Sequence, residues 1–250
     1  MKTVKTIWST LIESYKMFNR PLVLPNYVTL NEKYGIPSLD NDISKSSLEY
    51  FTIGIRSPSL SDDIVHSSTD REVFIPVPFL MVPSSTGLTD GQKDTYKIRF
   101  TSVINNIEYI SCYVKKVSAI DTDNIVYEAE YNKESQTFTP TEHVPSQAYT
   151  TTPVVGSCDG TGLSNFFVVS SKITVVLTVD ELASIKDAAN LLYGLSDIDI
   201  FEIGIYSGIG DSNNELSNAS AYMFKGVNLD NYDVDGNLNV TMNVGGMTSE

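Results

Sequence analysis

KITVVLTVDELASIKDAANLLYGLSDIDIFEIGIYSG, residues Lys172–Gly208, reads as strand, helix, strand. Ile173 to Leu177 is a short β-branched run, which packs well on a pleated surface. Thr178 sits where a helix N-cap belongs, and Glu181 follows at the reciprocal capping-box spacing. Leu182, Ile185, Ala189 and Leu192 recur at helical spacing and form one apolar face. Gly194 stops the helix as the residue after its last turn, because glycine takes the left-handed conformation without steric cost. Ile198 to Tyr206 then resumes an extended run. Local propensity, capping and periodicity agree throughout this stretch, and none of its residues displays a chemistry.

Downstream, Ile209–Asn218 is turn-rich. Ala221–Val227 and Leu238–Val244 read as a closing hairpin with Asp235-Gly236 in its turn region. Upstream, Phe166–Val169 leads in from Glu134–Asn165, a stretch rich in Ser, Thr, Pro and Gly that includes Thr150-Thr151-Thr152-Pro153. A segment this long without periodicity is a linker or an extended arm that orders against a partner. Ile125–Tyr131 is a short strand. Asp90–Tyr113 contains the clearest antiparallel pair: Tyr96, Ile98 and Phe100 alternate with Lys97, Arg99 and Thr101, Asn105-Asn106 supplies a turn at positive φ, and Ile107–Val117 returns. Glu72–Val82 is apolar but holds Pro76 and Pro78, which marks an edge strand or an extended arm. Arg56–Arg71 is a polar loop, and Leu48–Ile55 is the first strong strand.

Nearest the N-terminus, Thr6–Phe18 is an amphipathic helix with Trp8, Leu11, Ile12, Tyr15 and Phe18 on one face and Ser9, Glu13, Ser14 and Lys16 pointing away. The plainer reading is that this aromatic stripe docks on the chain's own core. The alternative is that it docks on a neighbouring subunit. Pro21–Ser47 reads as an irregular linker with a helical turn near Leu30–Tyr34. The expected fold class is α+β: mostly antiparallel β-sheet or sandwich, with one prominent helix in the C-terminal half and the N-terminal amphipathic helix. The expected organisation is a helix and extended arm over residues 1–47, then a β-rich core over 48–250 with a long arm at 134–165.

The chain of 250 residues is 41% apolar and carries 14 tyrosines, which are globular values. Mean hydropathy is -0.07, and no long apolar run is present to cross a membrane. The N-terminal MKTVKTIWSTLIESYKMF lacks an uninterrupted apolar core and does not read as a signal peptide. Net charge is -14, from 31 acidic and 17 basic residues, which argues against a grip on nucleic acid. Cys112 and Cys158 belong to no CxxC pair and read as two reduced thiols.

Chemical motifs are few. His66 and His143 lie far apart and lack zinc-ligand spacing. His66 has Asp62, Asp63 and Asp70 nearby, a candidate weak cation site for which a solvated polar loop is the simpler account. Gly210-Asp211-Ser212 resembles the nucleophile tripeptide of some esterases, but turn chemistry explains it more simply. Asp233, Asp235, Gly236 and Asn237 fall short of a calcium loop. No phosphate-cradling glycine motif occurs. The expectation is therefore a protein that is not an enzyme, with no catalytic, cofactor-binding or metal-ligating residues.

Four blocks, in order, resemble a known family. Leu48-Glu49-Tyr50-Phe51-Thr52-Ile53-Gly54 is similar to an aromatic-x-x-Gly strand. Phe74–Leu80 carries Pro78-Phe79. Leu88-Thr89-Asp90 precedes Tyr96-Lys97-Ile98-Arg99. Thr178–Gly194 is followed by Glu202-Ile203-Gly204-Ile205 and Ser207-Gly208. Together they resemble virion structural proteins of tailed bacteriophages, of the type found in large-genome and crAss-like phages. The resemblance spans roughly residues 48–209.

It implies a building block located in the virion and made in the host bacterial cytoplasm. The expected role is a ring at the head–tail connector or neck. A tail or baseplate component, or a receptor- or carbohydrate-binding adhesion module, is the alternative, and a serine hydrolase using Ser212 stands behind both. The expected partners are further copies of the chain in a cyclic homo-oligomer, and portal, neck or tail proteins of the same virion. Trp8, Tyr15, Phe18, Phe138, Tyr149 and Pro153 are the candidate contact residues.

Overall fold

Thr178 and Gly194 bracket the longest helix as their chemistry requires. The Thr178 hydroxyl accepts from the Glu181 backbone N–H at 3.3 Å, and the Glu181 carboxylate accepts from the Thr178 N–H at 2.9 Å. Gly194 has φ 68°, and its N–H donates to the Asn190 carbonyl. Ile185, Ala188 and Ala189 are buried on the inner face of this helix. Thr178→Ala should cost about 1 kcal/mol, read as a lower denaturant midpoint with an unchanged slope.

The computed structural model describes residues 3–18, 24, 28–56, 65–132, 137–143, 164–211, 215–227 and 235–249. In chain order the first elements are β1 (Val4–Lys5), α1 (Ile7–Phe18), α2 (Leu30–Lys33), β2 (Ser47–Arg56), β3 (Leu80–Pro83), α3 (Asp90–Thr95), β4 (Tyr96–Ile104) and β5 (Ile107–Lys116). There follow β6 (Ala119–Asn132), β7 (Thr137–His143), β8 (Ser164–Leu177), α4 (Val179–Tyr193), β9 (Asp199–Gly210), β10 (Leu216–Gly226) and β11 (Leu238–Ser249). The fold is α+β and mostly antiparallel sheet, with α4 as the prominent helix of the C-terminal half and α1 as the N-terminal one.

The chain forms two compact units: residues 1–117 with 176–240, and residues 118–175 with 241–250. The first holds a seven-stranded sheet in the order β1-β10-β9-β2-β5-β3, with β4 also paired to β5. The described residues before 48 pair and pack within this unit: β1 pairs with β10, Thr29 bridges to Ser220, and α1 and α2 pack on β10. Thr6 caps α1 while its hydroxyl donates to the Ala221 carbonyl at 2.5 Å. The core is aromatic and aliphatic, with Phe51, Phe79, Tyr206 and Phe224 fully buried and the Phe51 and Phe79 rings edge to face at 5.0 Å. The second unit is built on a four-stranded sheet in the order β11-β8-β6-β7.

Several expectations change. β8 and β9 flank α4 but lie in different sheets, so the strand–helix–strand stretch is a junction between sheets. β10 and β11 likewise belong to different sheets and make no closing hairpin. β10 pairs instead with β9, through a turn in which the Asp211 N–H donates to the Glu215 carbonyl. Within Glu134–Asn165, Thr137–His143 is a strand paired with β6, and most of the remainder lies outside the described residues. Within Glu72–Val82 the named strand begins at Leu80, as β3 at one end of the sheet path, while Pro76 makes an isolated antiparallel bridge with Gly54. Asn105 and Asn106 have φ 51° and 63°, as a tight primed turn needs. The alternation on β4 is broken, because Ile98 has φ 51°; Lys97 is buried and Phe100 exposed. Ser9 is buried, its hydroxyl donating to the Thr6 carbonyl, while Phe18 is exposed. The helical turn expected near Leu30 is α2, capped by Thr29.

Candidate functional site

The polar loop around His66 is anchored inward by a side chain far away in sequence. β9 crosses the middle of the seven-stranded sheet, and besides Asp199 at its first position it carries one acid, Glu202, buried between Phe201 and Ile203. β2 makes room for it with Gly54, where a Cβ would lie 2.5 Å from Glu202 Oε1 and 2.7 Å from the Phe74 carbonyl oxygen. Glu202 Oε1 accepts from the Phe74 backbone N–H, and Oε2 faces His66 Nε2. On the other side of the ring, Asp70 Oδ2 faces His66 Nδ1 at 2.8 Å and also accepts from the Ser67 N–H. The imidazole stacks on Phe224 with centroids 4.1 Å apart.

Two acceptors at two ring nitrogens favour the doubly protonated imidazolium. Burial opposes that charge, but hydrogen bonding and charge attraction from Glu202, then Asp70, outweigh it and raise the His66 pKa above its ordinary value. A histidine held this way has no nitrogen left to take a proton from a nucleophile. The geometry makes a clamp that ties residues 65–76 to β9. Beside it lies a surface depression of about 620 Å³ lined by Lys33, His66, Asp70, Arg71 and Glu72 among others. Its charges are paired: Lys33 with Glu72, and Arg71 with Glu32 at 3.0 Å. Burial, then the nearby Arg71 charge, lowers the Lys33 pKa to about 8.

A second buried ion pair fixes α4. Lys115 Nζ lies 2.6 Å from Glu181 Oε1 and donates to the Val176 carbonyl, and the Tyr96 hydroxyl donates to the same carboxylate at 2.6 Å. Burial works against the Glu181 charge, yet the Lys115, Tyr96 and Thr178 hydrogen bonds lower its pKa. The capping acid of α4 is therefore also its tie to β4 and β5.

The residues singled out from sequence are dispersed. Trp8 and Tyr15 are half-buried against Ile12, Leu24, Val28 and Ile43, so the chain's own core receives much of the aromatic stripe. Phe18 is exposed at the end of α1. Phe138 is on β7, in register with Tyr131. Tyr149 and Pro153 lie outside the described residues, as do Asp62, Asp63, Ser212, Asp233 and Cys158. Asp211 serves the β9–β10 turn, accepting from the Glu215 N–H at 2.8 Å. Cys112 is a buried free thiol whose pKa is pushed up by burial to about 12, the opposite of an activated nucleophile. Among the described residues no group of acids, histidines and cysteines is placed to hold a metal ion, and no helix is long and apolar enough to cross a membrane.

Sequence reasoning missed Glu202 as the partner of His66. The signal was an acid embedded in the otherwise apolar run IFEIGI, in a sheet whose neighbouring strand offers a glycine. It also missed the apolar tip of the β4–β5 hairpin, where Val103 and Ile107 are exposed around the two asparagines.

No curated protein and no solved structure matches the chain. A family described only as being of unknown function does, over residues 1–227, which takes in the whole seven-stranded sheet and α1 to α4. On that coverage the chain belongs to the DUF7208 family.

Proposed function

We propose that the chain is a non-enzymatic structural component of a tailed-bacteriophage virion, forming a ring at the head–tail connector. The order of the four sequence blocks supports this reading. One structural observation carries it furthest: on α1, Trp8, Ile12 and Tyr15 pack on the chain's own core, while Met17 and Phe18 remain 75% and 63% exposed. Large apolar side chains left in water at the end of an anchored helix are a contact surface for another protein.

The closed state of the His66 clamp weighs against the hydrolase alternative, since that imidazole is already committed at both nitrogens. Portal, neck and tail proteins of the same particle, together with further copies of the chain, are the partners this reading calls for. The location it calls for is the virion, after synthesis in the bacterial host cytoplasm.

Light scattering on the purified chain, alone and mixed with portal, neck or tail proteins, tests the reading. The expected result is a discrete complex many times the 27.5 kDa chain mass. A chain that stays monomeric with every such partner but binds a glycan would support the adhesion alternative instead.

A further inference from the structure

The two contacts of the His66 ring differ in what happens when the ring loses its proton. The imidazolium donates from both nitrogens, to Glu202 at Nε2 and to Asp70 at Nδ1. A neutral imidazole has a single N–H and serves one carboxylate only, while its other nitrogen turns a lone pair toward the second. Glu202 is 2% exposed, and its other oxygen is already taken by the Phe74 N–H. Without the imidazole N–H, Glu202 Oε2 would be a buried carboxylate oxygen stripped of this donor. The Asp70 side chain is 39% exposed, so water takes the place of the ring there, and the Ser67 N–H still donates to it.

Asp70 also closes a short turn against the anchored ring. Its N–H donates to the Ser67 carbonyl at 3.1 Å, and its Oδ2 accepts from the Ser67 N–H at 2.9 Å. Inside that turn, the Ser68 carbonyl accepts from the Ile7 N–H at 2.8 Å. Ile7 is the first residue of α1, and an N–H at that position has no acceptor within its own helix. The start of α1 is thus linked to His66 through Ser68 and Asp70.

The geometry assigns His66 as a proton-operated latch. The imidazolium holds the Ser67–Asp70 turn closed; the neutral ring stays on Glu202 and lets go of Asp70, loosening the turn and the first N–H of α1 while β9 keeps its place. This inference stands apart from the ring reading. The charged groups that face the imidazole are Asp70 from its own segment and Glu202 from β9, and β10 presents the uncharged Phe224 ring. Lys33 of α2, with Arg71 and Glu72, lines the adjoining depression. Because the Lys33 pKa is lowered to about 8, its titration has to be separated from that of His66.

NMR of the full chain, titrated from about pH 6 to about pH 10, tests the latch. Imidazole ¹⁵N shifts of His66 are expected to show both nitrogens protonated at the acid end and the Nε2–H tautomer at the alkaline end. Over the same range the hydrogen-exchange protection of the Ser67, Asp70 and Ile7 amides, corrected for intrinsic rate, should fall about tenfold, while that of Ile203 and Ile205 in β9 holds. Asp70→Ala, at a partly exposed position that leaves the far-UV circular dichroism unchanged, should show the lower protection already at the acid end and no further fall. Lys33→Arg keeps its charge throughout and should retain the wild-type fall. An Nδ1–H tautomer at the alkaline end overturns the inference, because it puts the release on Glu202. Protection that stays flat in the wild type, or whose fall survives Asp70→Ala or vanishes in Lys33→Arg, overturns it as well.

Discussion

Glu202→Ala is expected to destabilise the seven-stranded unit by about 3–5 kcal/mol, the range for breaking a buried ion pair by removing one partner. Two groups lose their acceptor at once, the Phe74 N–H and His66 Nε2. Glu202 is buried behind Phe224 and the β2–β9 core, and although His66 and Phe74 also line the surface depression, water reaching them from that side offsets only part of the loss. Chemical denaturation measures the loss. Glu202→Gln keeps the shape and an acceptor oxygen, so its cost should be smaller.

The same pair gives the protein a pH dependence of known sign. The folded His66 holds its proton more tightly than the unfolded one, whose reference value is 6.5. Between that value and the raised folded pKa, the folded state binds more protons than the unfolded state, so stability falls as pH rises. The clamp contribution is fully present below 6.5 and is lost as pH climbs through the folded pKa. Denaturation midpoints of the wild type and of His66→Gln, compared across that window, should converge on the alkaline side. A wild-type midpoint that rose relative to His66→Gln in that range would contradict the imidazolium assignment.

Gly54→Ala is the second large effect, expected at about 3 kcal/mol, the upper part of the range for overpacking a tight site. Its Cβ would meet Glu202 Oε1 at 2.5 Å and the Phe74 carbonyl oxygen at 2.7 Å. The carboxylate cannot step aside without giving up its two partners, and the carbonyl belongs to the backbone of the clamped segment. Paired with Glu202→Ala, the substitution should be strongly non-additive, since removing the carboxylate removes the nearer of the two clashes. Thermal or denaturant unfolding of the four members of this cycle measures the coupling. Simple additivity would mean that Gly54 serves some purpose other than admitting Glu202.

What could be foreseen from sequence was local. Thr178, Glu181 and Gly194 mark the ends of α4 through bonds made within a few residues, and Asn105-Asn106 sets its turn by backbone preference alone. What could not be foreseen was the choice of partners. Strand content at β8, β9, β10 and β11 is visible in the residues, but which strand pairs with which depends on contacts between distant segments, and adjacent elements went to different sheets. His66 and Glu202 are 136 residues apart. The acids near His66 in sequence drew attention to Asp62, Asp63 and Asp70, and of these Asp70 is the one that the structure shows facing it. Ser9 reads as a surface residue by helical spacing, but the capping of α1 by Thr6 on β10 turns it inward. Exposure of Phe18 and Val103 is equally invisible to periodicity, because an apolar residue on an apolar face carries no sign of whether its own chain will cover it.

The most direct measurement of the central proposal is the position of the chain in intact particles. Gold-labelled antibody against the full chain, applied to tailed particles purified from lysates that contain it and viewed by electron microscopy, should mark the head–tail junction, with the label in a ring around the axis. Label at the tail tip or on fibres would contradict the connector role in favour of a baseplate or adhesion role, and purified particles free of the chain would contradict a structural role in the virion altogether.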